Sequence, residues 1–128
     1  MAHKKGWKAK DHPRIVREKA WAALPGSIKV PGIYEMRENE IEGKLVEEVK
    51  RMGGICPKWV SPGLDGVPDR IVLLPGCRIG FVELKAPGRK MRPLQKKRKE
   101  KLEALGFLVF CIDDKELIEE VLREIQRS

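Results

Sequence analysis

Three charged residues stand in a stretch that otherwise reads as two apolar strands around a Pro-Gly turn, GVPDRIVLLPGCRIGFVELKA at residues 66–86. Asp69 begins the first strand, while Glu83 and Lys85 lie in the second. With Gly76 at the centre of the turn, Asp69 and Glu83 are equally far from it and face each other across the hairpin. Glu83 and Lys85 share a face because side chains alternate along a strand. The spacing predicts one site with two carboxylates and one ammonium group.

Two neighbouring carboxylates repel each other unless a cation lies between them, and Mg²⁺ is a hard cation that prefers oxygen ligands and keeps several waters. A lysine beside such an ion can position or activate a water, or stabilise charge on a phosphate. Two alternatives stay open at this point. The charges can form an ordinary ion pair at a strand end, and a register shifted by one residue would turn the two carboxylates to opposite faces.

The elements that must position this site follow from the periodicity of the flanking sequence. MRENEIEGKLVEEVKRMGG has a helical apolar stripe of Ile41, Leu45, Val49 and Met52 and ends in a glycine pair, and ICPKWV reads as a short strand. After the hairpin come a basic helix, LQKKRKEKLEAL, an apolar strand, FLVFCI, and an amphipathic helix, DDKELIEEVLREIQ, capped by Asp113 or Asp114. The order predicts an α/β fold with a mixed central sheet flanked by helices. The last strand can join in parallel through a crossover.

The 128 residues suit a single domain. We expect residues 1–35, which lack periodicity, to be an irregular or partly disordered basic extension, and residues 36–128 to be the folded domain. No apolar run is long enough to span a bilayer and no secretory signal is evident, so we expect a cytoplasmic protein. The cysteines Cys56, Cys77 and Cys111 fit neither a disulfide framework nor a zinc site. Both histidines lie in the extension, which argues against a histidine-based metal site or a Ser-His-Asp triad.

The net charge of +8 is concentrated in two segments. Residues 1–35 carry eight Lys/Arg against three Asp/Glu, and residues 86–101 carry eight against one. Residues 36–85 are balanced, and residues 102–128 are acidic. Two basic segments that flank the paired carboxylates indicate a polyanionic partner such as nucleic acid. The alternative is a solvated basic helix face.

The sequence motifs around the charged residues resemble those of a known protein family. Pro68-Asp69 followed by Glu83-Leu84-Lys85 is the PD…(D/E)xK pattern of the restriction-endonuclease-like nucleases. GVPDRIVLLPG, FVELKAPG and the downstream Leu94-Gln95 resemble the VRR-NUC family, especially its short stand-alone phage and bacterial members. The resemblance runs from about Met36 to about Ile118 and implies an αβββαβ core followed by a C-terminal helix. The tripeptide that names the family is not literally present, and residues 1–35 lie outside the match.

The resemblance implies a DNA endonuclease that depends on Mg²⁺, with Mn²⁺ able to substitute. Asp69, Glu83 and the Leu84 carbonyl would be metal ligands, Lys85 the catalytic lysine and Gln95 a supporting residue. The family also places an acidic residue on the first helix. Glu38 and Glu42 both lie beside the apolar stripe, whereas Glu40 faces solvent. Glu42 lies one turn deeper and fits the helix of related junction resolvases, so we expect Glu42 to act here, with Glu38 as the alternative.

Basic side chains near the site are expected to contact DNA phosphates, which gives salt-dependent affinity rather than sequence choice. They are Arg70, Arg89, Lys90, Arg92, Lys96, Lys97, Arg98 and Lys99; for Arg70 a structural ion pair is an equal alternative. By analogy with junction resolvases we expect a homodimer acting on branched DNA such as Holliday junctions. The alternatives are a catalytically silent DNA-binding module, or a nuclease for flaps, nicked duplex or RNA.

Overall fold

The computed structural model describes residues 31–128, and the side chains of residues 36–128. The elements in chain order are α1 (Pro31–Arg51), β1 (Arg70–Leu74), β2 (Arg78–Leu84), α2 (Pro93–Ala104), β3 (Leu108–Ile112), a 3₁₀ turn (Lys115–Leu117) and α3 (Ile118–Arg127). The predicted α/β class is confirmed. The first helix begins before Met36, and what we expect of the rest of residues 1–35 lies outside the described residues and stays a prediction. No described helix is both long enough and apolar enough to cross a membrane.

The sheet has β2 at its centre, antiparallel to β1 and parallel to β3. The hairpin pairs Arg70 with Val82 and Leu74 with Arg78, which is the register predicted from a turn centred on Gly76. Continued by one residue, this register places Asp69 opposite Glu83. The crossover through α2 brings β3 alongside β2, as the sequence predicted.

The segment predicted as the first of the three strands, ICPKWV, forms only isolated bridges to β1, Ile55 with Leu73 and Lys58 with Arg70. The prediction of a continuous strand was wrong, and Pro57 gives the physical reason. Its carbonyl accepts from Ile71 N at 2.9 Å, but proline has no N–H to return to the ladder. The segment still covers the outer edge of β1, up to the hydrogen bond from Trp59 N to the Asp69 carbonyl at 2.9 Å.

The main core lies between one face of the sheet and the helices α1 and α3. The predicted stripe of α1 is confirmed, because Ile41, Leu45 and Val49 are buried and Met52 packs against them. A smaller cluster on the other face joins Phe81 and Val109 of the sheet to Leu102 of α2. Glu83 has the strand parity of Phe81, and it therefore points toward α2 rather than into the main core. The 3₁₀ turn that leads into α3 is capped by Asp114, whose side chain accepts from Glu116 N at 2.9 Å.

The β1–β2 turn contains Cys77, a non-glycine residue in the left-handed region with φ of 63°. A side chain costs about 1–2 kcal/mol in this conformation. We therefore expect Cys77→Gly to raise the free energy of unfolding by about 1 kcal/mol, measured by urea denaturation. The neighbouring Gly76 has φ of 85°, and Gly76→Ala should lower the stability by a similar amount. Equal stability of the two variants would contradict the assignment of strain to this turn.

Candidate active site

Glu83 lies at the end of the central strand with only 1% of its surface exposed. Its Oε2 atom accepts a hydrogen bond from Gln95 Nε2 at 2.7 Å and lies 3.1 Å from Lys85 Nζ. Its Oε1 atom is also buried but has no hydrogen-bond partner among the described residues. A buried carboxylate oxygen without a partner is costly. One oxygen of this carboxylate is therefore held by protein groups, and the other is buried without a compensating donor in the described part of the chain.

Asp69 precedes β1 and reaches across the hairpin toward the same place. Its Oδ2 atom accepts a hydrogen bond from the Leu84 backbone N–H at 2.9 Å. This contact fixes the Asp69 carboxylate beside the strand segment that contains Glu83 and Lys85. The predicted convergence of two carboxylates and one lysine at the open end of the hairpin is thus present in the structure.

The protonation of Glu83 reflects these surroundings. Burial is the largest cause and the nearby Asp69 carboxylate the second, and together they raise the pKa of Glu83 to about 7. The hydrogen bond and the charge of Lys85 act in the opposite direction, and Glu38 adds a smaller upward contribution to this pKa. A buried acid whose charge is disfavoured by a neighbouring carboxylate is the arrangement that a cation would stabilise.

Gln95 connects the site to the start of α2. Pro93 occupies the first turn of the helix, and Gln95 at the third position accepts from the Arg92 backbone N–H through Oε1 at 2.8 Å. Because Oε1 is used in this way, the amide nitrogen is directed at Glu83. The helix cap therefore sets the orientation of the side chain that holds Glu83. The sequence contains a signal for this cap, because Gln95 comes two residues after Pro93, and proline often begins a helix.

The acids of the first helix have different partners. Glu42 forms an ion pair with Arg70 Nε at 2.9 Å, and the same guanidinium donates to the Cys56 carbonyl at 2.7 Å. This half-buried contact, which we call the Arg70 brace, ties together α1, the start of β1 and the segment that covers its edge. Two of its three groups were candidate functional residues, Glu42 as a catalytic acid and Arg70 as a phosphate contact. Here each has a protein partner.

Glu38 instead lies within the electrostatic reach of the hairpin charges. Its pKa is raised, first by burial and then by the Asp69 carboxylate, while Lys85 acts to lower it. Glu40 is exposed and lies 3.7 Å from Lys115, so the prediction that it faces solvent is confirmed. The pKa of Glu38 therefore responds to both Asp69 and Lys85, and Glu42 adds a smaller upward contribution.

The basic residues predicted to contact phosphates divide into two groups. Some have contacts within the fold: Arg70 in its brace, Arg98 donating to the Asp65 carbonyl at 2.9 Å, and Lys99 paired with Glu103 at 2.7 Å. Arg89 is exposed, and its charge is close enough to Glu38 to lower the pKa of that carboxyl group. The other exposed members lie before and within the first turns of α2; they are Lys90, Arg92, Lys96 and Lys97.

The donor set suits a hard divalent cation. Among residues 36–128 no three His, Cys, Asp or Glu side chains form a group that could enclose a metal ion. Mg²⁺ does not require such a cage, because it is commonly held by one or two carboxylates and completes its shell with water and substrate phosphate. Asp69, Glu83 with its unpaired Oε1, and a backbone carbonyl fit that pattern.

In this mixed sheet, Pro68-Asp69 and Glu83-Leu84-Lys85 meet at the open end of one hairpin. This arrangement is characteristic of the PD-(D/E)xK class of nucleases. No protein-family model matches the chain. The chain is 51% identical over 82 residues to the protein named "Putative nuclease p44" of Acyrthosiphon pisum secondary endosymbiont phage 1, a match that covers 64% of this chain and 88% of the relative. A solved structure described as a VRR_NUC domain has a TM-score of 0.64 and 27% identity, over 68% of this chain and 95% of that one. The chain belongs to the VRR-NUC family of nucleases.

Proposed function

We propose that this protein is a metal-dependent endonuclease that hydrolyses DNA phosphodiesters, with Asp69, Glu83 and the Leu84 carbonyl as the ligands of Mg²⁺ and with Mn²⁺ able to substitute. The observation that carries the proposal is the buried, unpaired Oε1 of Glu83 beside the Asp69 carboxylate. The ion pair with Lys85 uses only Oε2 and leaves the buried Oε1 without a compensating donor or cation from residues 36–128. Bound there, the ion would polarise the scissile phosphate and supply an activated water.

Side chains of the protein would supply the remaining catalytic and binding roles. Lys85, 3.1 Å from Glu83 Oε2, would orient the attacking water or neutralise charge that develops on the phosphate. Gln95 does not reach the reacting atoms in this scheme and acts as a positioning residue for Glu83. Exposed Lys90, Arg92, Lys96 and Lys97 would bind flanking phosphates, and their contribution should weaken as salt increases.

The first-helix acid is proposed to be Glu38. Its pKa responds to Asp69 and Lys85, whereas Glu42 is engaged by Arg70. Glu42 remains the alternative, since a substrate or metal that displaced Arg70 would free its carboxylate. In this proposal, the ion pair between Glu42 and Arg70 supports the site by keeping Asp69 in register with β2.

We further propose that the substrate is branched DNA and that the protein acts as a homodimer. The described residues form one such site, so paired cuts across a junction would require a second subunit. The membership of the VRR-NUC family and the basic surface beside the site support a nucleic acid substrate. The cytoplasmic location stays a prediction.

Metal-dependent cleavage tests the proposal directly. We expect labelled four-way and flap DNA to be cut in Mg²⁺ or Mn²⁺ and to remain intact in EDTA. Lys85→Ala should reduce the cleavage rate about 10²-fold, which is the usual effect of removing one group that stabilises transition-state charge. Lys44→Ala, which removes an exposed lysine from α1 away from the site, should cut at the rate of the unmodified protein.

Three other outcomes would change the conclusion. Binding to DNA without cleavage in any divalent metal would favour a catalytically silent binding module. Cleavage of RNA in preference to every DNA would replace the substrate. Full activity of Lys85→Ala would remove this lysine from the site.

A further inference from the structure

Three exposed apolar side chains lie on the segments that lead into the candidate site. Val60 is 79% exposed, Leu94 46% and Leu64 37%. We call these three residues the apolar rim. They belong to the loop that precedes β1 and to the first turn of α2, which are the two segments that lead into Asp69 and Gln95.

Backbone contacts connect the rim to the site. Val60 follows Trp59, whose N–H donates to the Asp69 carbonyl at 2.9 Å. Leu94 precedes Gln95, which donates to Glu83 at 2.7 Å. Each of these two rim residues is therefore adjacent in the chain to a residue that is hydrogen-bonded to a carboxylate residue of the site.

The loop that contains Leu64 is held against α2. Gly66 has φ of 78° and packs so closely that a Cβ atom there would lie 2.7 Å from the Leu94 carbonyl oxygen. Arg98 Nε donates to the Asp65 carbonyl at 2.9 Å from the next turn of the same helix. These contacts hold the two residues that follow Leu64, Asp65 and Gly66, against the first turns of α2.

The surroundings of the rim indicate its partner. The segment that contains Leu94, residues 86–101, carries eight Lys/Arg against one Glu, and the exposed Lys96 and Lys97 follow directly. Regular duplex DNA would present phosphates and polar groove edges to such a surface, because its base faces are covered by stacking. Apolar side chains gain contact area only where a base step is opened or a base is unstacked.

From this combination we propose that the apolar rim packs against the bases next to the scissile phosphate, and that this contact selects DNA whose stacking is already interrupted. The inference rests on the proposed function and specifies how its site would recognise branched DNA. Basic residues of α2 would supply affinity for any DNA, while Val60, Leu64 and Leu94 would supply the preference for broken stacking.

Binding measurements on a cleavage-deficient background test the rim separately from catalysis. In Lys85→Ala protein with Mg²⁺, we would measure dissociation constants for a four-way junction and a linear duplex, each carrying 2-aminopurine at the branch point or the matching position. Adding Leu64→Ser and Leu94→Ser should reduce the preference for the junction about 10-fold and reduce the rise in 2-aminopurine fluorescence. Affinity for the linear duplex should be unchanged.

The chain offers a matched control at the other end of the sheet. Ile55 and Leu105 are each 62% exposed; Ile55 pairs with Leu73 near the hairpin turn, and Leu105 follows α2. Ile55→Ser with Leu105→Ser should keep the junction preference. Val60→Ser alone alters the most exposed rim position, so it should lower the preference about threefold without affecting folding.

Several results would overturn the inference. One is an unchanged junction preference in the rim variants, and another is an equal loss of junction preference in the control pair. A third is a change in subunit assembly alone, which would make the rim a protein interface. Absence of metal-dependent cleavage by the unmodified protein on any DNA would instead refute the proposed function. The two failures are therefore distinguishable.

Discussion

Replacing Glu83 by glutamine is expected to abolish cleavage and, without metal, to make the folded protein more stable at neutral pH. Glutamine keeps the shape of the side chain and an oxygen for the contacts with Gln95 and Lys85. It cannot supply a charged ligand, however, and several kcal/mol of charge stabilisation by the ion would be lost. We expect the cleavage rate to fall by at least about 10³-fold.

The effect on stability follows from the pKa of Glu83, which is about 7 in the folded protein against an ordinary value of 4.5. Between these two pH values the folded state binds more protons at this group than the unfolded state does. Its contribution to stability is present below pH 4.5 and is lost as the pH rises to about 7 and above. The loss amounts to about 3 kcal/mol, because each pKa unit corresponds to about 1.4 kcal/mol. The Glu83→Gln variant should lack this loss.

Urea denaturation between pH 4 and pH 8, with EDTA and then with Mg²⁺, measures both parts of the prediction. Mg²⁺ should stabilise the unmodified protein most at pH 8, where Glu83 would otherwise be charged and unneutralised, and should stabilise Glu83→Gln little. Glu103→Gln removes a half-buried carboxylate that pairs with Lys99, and it should retain the pH and Mg²⁺ responses of the unmodified protein. An unchanged pH response in Glu83→Gln would refute the assignment.

The hairpin site could be predicted from the sequence because its geometry is local. A turn at Pro75-Gly76 fixes the register, and the register fixes which residues oppose each other, as the pairing of Arg70 with Val82 confirms. Strand parity then places Glu83 and Lys85 on the same face of their strand. No tertiary information is needed for either step.

Contacts between distant elements could not be predicted in the same way. The sequence admits a structural ion pair for Arg70, but it does not indicate that the partner is Glu42 of α1. Likewise, Arg98 looks in the sequence like one more basic residue of a basic helix. In the structure its side chain donates a hydrogen bond to the backbone carbonyl of Asp65, a residue of a distant loop. A helical wheel gives the direction of a side chain around the helix axis but not the position of the helix along the sheet. Packing of the apolar stripe of α1 decides that position.

Glu38 and Glu42 differ mainly in that axial position, and substitution of each by glutamine should separate their roles. Glu38→Gln is expected to reduce cleavage about 10²- to 10³-fold, because it removes a charge next to Asp69 that would help to hold the ion. Its folding should be preserved, since burial and Asp69 already disfavour the charged form of Glu38 and raise its pKa.

Glu42→Gln is expected to act mainly on the fold. It removes the charged partner of Arg70 at 2.9 Å and should lower the free energy of unfolding by about 1–3 kcal/mol, because the half-buried guanidinium loses a charge-assisted hydrogen bond. Cleavage at a temperature where the variant is folded should fall less than about 10-fold, in line with other supporting residues. Single-turnover cleavage in Mg²⁺, together with urea denaturation of the same samples, compares the two. A folded but inactive Glu42→Gln protein, together with an active Glu38→Gln protein, would show that Glu42 is the first-helix acid. The Arg70 brace would then be a contact of the free protein that metal or substrate must break.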